Sequence, residues 1–149
     1  MKPLVVLITV FLLCLLITWL VTGIVNTDLS GRIAMSVMLV FTAIGHFKFH
    51  RGMTMMMPDF IPLKKELVYA TGIFEVVAGV GLLIKETEYF TGIALIIFFL
   101  LILPANINAA IRKIDFEKGT YEGSGPGYLW FRIPLQVLFI WWAYWFAVR

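Results

Sequence analysis

Apolar positions along this chain fall into long blocks, not into the alternating pattern of strands or the narrow stripes of soluble helices. Five blocks stand out, at residues 4–25, 33–50, 67–84, 90–111 and 129–148. Crossing a bilayer as a helix takes about 20 mostly apolar residues. The pattern therefore predicts an all-α fold, a polytopic membrane helical bundle of five transmembrane helices, as one domain over residues 1–149. The first block is uncharged, and its apolar core exceeds the roughly 7–15 residues of a secretion signal. VTG is also a poor cleavage site, so this block is expected to stay as a helix. Between the second and third blocks lies MTMMMPDFIP, residues 53–62, too short to cross and expected to be interfacial or re-entrant.

Composition agrees with this pattern. The chain is 61% hydrophobic and 14% charged, with a mean hydropathy of +0.94. A soluble domain is nearer half apolar and about a quarter charged. A net charge of +3 is too small to suggest nucleic acid as a partner. The lone Cys14 leaves no pair for an internal disulfide and no CxxC for a thiol or metal site, and it reads as a small apolar filler.

Five spans would put Lys2, Lys48, Arg51, Lys64, Lys65, Arg112, Lys113, Lys118 and Arg132 toward one side, against Arg32, Lys85 and Arg149 on the other. The positive-inside rule then predicts a cytoplasmic N-terminus and an outside C-terminus. Trp19, Trp141, Trp142 and Trp145 fall near the outer ends, and Tyr128 and Trp130 near an inner end, as interfacial aromatic residues do.

On this layout the polar residues inside the spans share one half of the bundle. His46 and His50 lie four apart at the inner end of the second span. Glu75 sits about 12 Å into the third. Asn106 and Asn108 follow Pro104 near the inner end of the fourth, and Arg132 and Gln136 flank Pro134 in the fifth. A carboxylate in hydrocarbon is costly, so Glu75 is expected to face the bundle interior, paired or protonated. Gly72, Ala78 and Gly79 share its face, and small residues let another helix come close. Each proline frees a carbonyl that lipid cannot satisfy, which suggests a cavity open to the cytoplasmic side.

Several chemistries fit these residues. His46, His50 and Glu75 could form a two-histidine, one-carboxylate metal set, although Glu75 is expected about two helical turns deeper than the histidines. His46 and Glu75 could act as acid and base, and a structural ion pair of Glu75 with Arg132 or His46 is the plainer alternative. Met53, Met55, Met56 and Met57 suit an irregular apolar ligand or a loop resting on lipid. The loop GTYEGSGPGYLW lacks the GK[ST] ending of a phosphate loop.

The stretches GHFKFHRGMTMMMPDFIP, YATGIFEVVAGVGLL, LPANINAAI and YLWFRIPLQ resemble the DoxX-like family of small bacterial integral membrane proteins. The resemblance covers residues 30–149 and the order of the motifs. It implies a four-helix core, here with an added N-terminal helix, in the bacterial cytoplasmic membrane. Its pattern falls on His46, Pro58, Pro62, Gly72, Glu75, Pro104, Asn106 and Arg132. Some DoxX relatives are associated with thiosulfate–quinone oxidoreduction, and a distant branch includes an assembly chaperone for receptors.

The resulting expectation is a polar pocket roofed by the Met-rich segment and lined by His46, His50, Glu75, Asn106, Asn108, Arg132 and Gln136. It would bind a small amphipathic ligand, a quinone or lipid, with His46, Glu75 and Arg132 as candidates for any catalytic step. No cofactor motif is evident. The alternative is a non-enzymatic assembly or accessory subunit, which would bind other membrane proteins or further copies of this chain as well as membrane lipid.

Overall fold

The computed structural model describes residues 2–149, and helices dominate it, with no strand among the described residues. Helix α1 spans Lys2–Thr22 and ends where Gly23 turns to a φ of +71°. Asn26 then caps α2, Thr27–Lys48, its side chain accepting from the Leu29 N–H at 3.0 Å. A short α3, His50–Met56, follows, then α4 at Lys64–Gly81, α5 at Glu88–Ile111 and α6 at Leu129–Ala143. A 3₁₀ turn, Pro126–Tyr128, leads into α6, and a π-helical turn, Tyr144–Val148, continues it.

Four segments are long and apolar enough to cross a membrane: Lys2–Thr22, Thr27–Lys48, Glu88–Ile111 and Pro126–Val148. The fifth expected span is α4. It is helical, but it has 18 residues and carries Lys64, Lys65, Glu66 and Glu75, so it is not among the four. Four helix starts also move. Helices α1, α2, α4 and α5 begin at Lys2, Thr27, Lys64 and Glu88, ahead of the expected 4, 33, 67 and 90. This draws Arg32 and Glu88 into helices, where they form an ion pair at the end away from His46. That end of the bundle therefore holds a charged pair.

Small residues set the closest helix contact. A Cβ added at Gly72 would lie 2.8 Å from His46 Cβ, and one at Gly79 would lie 3.3 Å from the Ser36 carbonyl oxygen. The Ser36 hydroxyl is 2.8 Å from the Gly79 carbonyl oxygen, so α2 and α4 also meet through a buried polar contact. The Gly72, Ala78 and Gly79 face expected from the sequence is the face that packs. The main core joins α2, α4, α5 and α6 through Met35, Met38, Leu39, Leu82, Leu95 and Phe139. Trp142 donates its indole N–H to the Gly31 carbonyl at 3.0 Å.

Helix α1 joins the edge of this core through Leu7, its buried residue, with Val6, Val10 and Phe11 packed against the cluster and Phe11 edge-on to Trp142 at 4.9 Å. Leu12, Leu13, Ile17, Leu20 and Val21 are exposed along it. In water such a surface would be unfavourable; in hydrocarbon it costs nothing.

Candidate functional site

The polar residues form two separate groups. Between α2 and α4, His46 Nε2 lies 3.5 Å from Glu75 Oε2. The other ring nitrogen, Nδ1, is 3.1 Å from the Val68 carbonyl oxygen and 3.0 Å from the Thr71 hydroxyl. Thr71 itself donates to Val68 at 2.8 Å. Glu75 is 4% exposed, and its Oε2 makes no hydrogen bond. The expected depth gap between His46 and Glu75 is closed for a geometric reason. Side chains lean toward the N-terminus of their own helix, and α2 and α4 run in opposite directions. His46 therefore leans into the bundle while Glu75 leans out toward it.

His50 leaves this group. Phe49, with φ −112°, breaks the helix, so His50 starts α3 instead of lying one turn beyond His46 on one face. Its ring stacks on Tyr69 with centroids 5.6 Å apart. Among the described residues no three His, Cys, Asp or Glu side chains gather closely enough to hold a metal ion.

The second group lies between α5 and α6. Arg132 donates to Asn106 Oδ1 at 2.7 Å, and Asn106 donates to Gln136 Oε1 at 3.3 Å. Gln136 in turn donates to the Phe99 carbonyl at 2.5 Å. That carbonyl neighbours the one on Leu100, whose helical donor Pro104 lacks. Asn106 and Gln136 are buried. Arg132 has no carboxylate within 4.0 Å among the described residues, so of the two partners considered for Glu75, His46 is the one beside it and Arg132 is not. Asn108 points elsewhere, because two residues turn a helix through about 200°. It donates at 2.8 Å to the carbonyl of Met56, the last residue of α3.

A cleft of about 300 Å³ opens over the second group. Arg132 and Asn106 line it, Met56, Ala109 and Ile114 form apolar wall, and Asp115, Glu117 and Glu122 supply acidic groups from the 112–128 loop. His46, His50, Glu75, Asn108 and Gln136 do not line it. The expected single pocket is thus a cleft beside a separate buried pair.

Its cover is also different. The 112–128 loop folds over the cleft, and of the methionine segment Met56 alone lines it. Met56 packs on Ala109 and Ile114, with Met53, Met55 and Phe116 around them. The loop holds its shape through local bonds: Asp115 accepts from the Glu117 and Lys118 N–H groups, and Gly123 N–H donates to Lys113 at 2.6 Å. An aspartate just ahead of a glycine-rich stretch is a turn signal, and it could have identified this loop as ordered.

Three ion pairs fasten the surrounding segments. Lys2 meets Glu117 at 2.7 Å. Asp59 takes both guanidinium nitrogens of Arg112 and lies 3.2 Å from Lys64. Arg112 first, then Lys64, lowers the Asp59 carboxyl from an ordinary 3.8 to about 2, and Asp59 raises Arg112.

No curated protein and no solved structure matches this chain. The DoxX-like resemblance rests on the quoted motifs alone. Residues 35–147, which contain both polar groups and the cleft, match the family model described as Domain of unknown function (DUF8561), and the chain belongs to that family.

Proposed function

We propose that this protein binds a small amphipathic molecule, a quinone or a lipid, in the cleft between α5, α6 and the 112–128 loop. The observation that carries this reading is Arg132: a cation lining the cleft, bonded to Asn106, with no carboxylate within 4.0 Å among the described residues, although Asp115, Glu117 and Glu122 line the same cleft. A guanidinium free of direct ion pairing, beside the apolar wall of Met56, Ala109 and Ile114, suits a polar head group with a hydrocarbon body. The cleft is at the small end for a ligand pocket, so it would take a head group while the tail ran out along the helices. His46 and Glu75 stand outside the cleft and take no part in this binding.

The same reading takes all five long helices as crossing the membrane, α4 with its charged first turn at the interface. The N-terminus would be cytoplasmic and the C-terminus outside in a bacterial cytoplasmic membrane. Support comes from nine of the twelve basic residues falling toward one side on that layout, and from the motif resemblance to DoxX-like proteins.

Native mass spectrometry of gently solubilised protein, with lipid and quinone extraction from the same sample, tests the binding. A stoichiometric adduct is expected, and Arg132→Gln should weaken it by about 10- to 100-fold, the loss of one charge-assisted hydrogen bond. Wild-type protein free of any adduct, or an adduct held equally by the variant, would refute the cleft and favour an accessory subunit that binds other membrane proteins.

A further inference from the structure

We infer that His46 and Glu75 form a buried site that binds one exchangeable proton between α2 and α4. The argument starts from the Val68 carbonyl, which can only accept. His46 Nδ1, 3.1 Å away, must therefore carry a hydrogen. The Thr71 hydroxyl fits this assignment: it donates to Val68 at 2.8 Å and presents a lone pair to Nδ1 at 3.0 Å. The opposite tautomer would set two acceptors, Nδ1 and the carbonyl, against each other.

With Nδ1 protonated, a neutral ring offers Nε2 as a bare lone pair toward Glu75 Oε2, 3.5 Å away. An ionised carboxylate there would again set acceptor against acceptor. One more proton resolves the conflict, either on the carboxyl and donated to Nε2, or on Nε2 and donated to the carboxylate. In both forms the pair has no net charge. Losing that proton leaves one negative charge in a site where Oε2 accepts no hydrogen bond.

Nothing else nearby substitutes for it. Lys48, at the end of α2, and Lys64, Lys65 and Glu66, in the first turn of α4, lie toward the helix ends. His50 on α3 is stacked on Tyr69 of α4, and Arg51 beside it is exposed. Helix α5 has no ionisable side chain between Tyr89 and Arg112. Arg132 of α6 is bound to Asn106. The imidazole is the more open member, its side chain 17% exposed against 6% for Glu75, so the proton enters and leaves through His46.

The test is nuclear magnetic resonance of the ¹⁵N-imidazole and ¹³C-carboxyl signals in solubilised full-length protein. The chain has two histidines, so His50→Gln leaves His46 as the one ring observed. The expected result is Nδ1 protonated throughout. The Nε2 and Glu75 carboxyl signals should report one proton shared between them, each changing whenever the other does. Glu75→Gln, nearly the same shape, should shift the Nε2 signal while size-exclusion chromatography shows an unchanged particle. A ring protonated on Nε2 alone would overturn the assignment. So would an Nε2 signal that the Glu75 substitution leaves unchanged.

Discussion

Gly72→Ala tests whether the α2–α4 contact holds the buried pair. The new methyl would sit 2.8 Å from His46 Cβ, 3.4 Å from its Cγ and 3.4 Å from Phe47 Cε2. Carbon atoms are comfortable at about 3.5–4.0 Å, so the first contact is too close by about 1 Å. The obstructing atom is a Cβ, fixed by the backbone, so no rotamer change relieves it and the helices must part locally. Overpacking of this kind costs about 1–3 kcal/mol. Separation also weakens the His46–Val68 hydrogen bond between the two helices, for about 1 kcal/mol more. Against this, replacing a helical glycine by alanine gains about 1 kcal/mol.

The expected net loss is therefore about 1–3 kcal/mol. Gly45→Ala is the matched control. It is also helical, but its new methyl meets only the mobile tip of Met53 at 3.5 Å, an ordinary contact. It should be neutral or stabilising by up to about 1 kcal/mol. Circular dichroism during unfolding in mixed micelles of rising dodecyl sulfate fraction gives both midpoints. If Gly72→Ala unfolds no earlier than Gly45→Ala, the close approach described here is wrong.

Other outcomes follow from single contacts. Trp142→Phe keeps most of the buried ring but removes the donor to the Gly31 carbonyl, and should lower stability in the same unfolding assay by about 1 kcal/mol. Asp59 has a carboxyl lowered to about 2, so its pairing with Arg112 and Lys64 is complete above its ordinary value of 3.8 and fades as pH falls through about 2. A ¹³C-carboxyl titration should place the wild-type midpoint near about 2 and move it back toward 3.8 in Arg112→Gln. A wild-type midpoint already at the ordinary value would exclude the pairing.

Much of the architecture was legible in the sequence because it follows from local composition. Long uncharged blocks must be helices if they lie in hydrocarbon, where each backbone group has to bond within its own segment. The small face of Gly72, Ala78 and Gly79 showed where another helix would come close. The antiparallel layout predicted which polar residues share one end.

Grouping those residues required tertiary structure. Counting rise along each helix put Glu75 too deep, because the count follows Cα positions and ignores the opposite lean of side chains on antiparallel helices. One break at Phe49 separated His46 from His50, a change of a few backbone angles that no spacing rule reports. Arg132, Asn106 and Gln136 found one another instead of Glu75, since hydrogen bonds depend on distances of a few tenths of an ångström across two helices. The sequence by itself determined which segments are helical and which residues are polar within them. Helix crossing and side-chain direction decided that these residues make one cleft and one buried pair, because both depend on contacts between segments far apart in the chain.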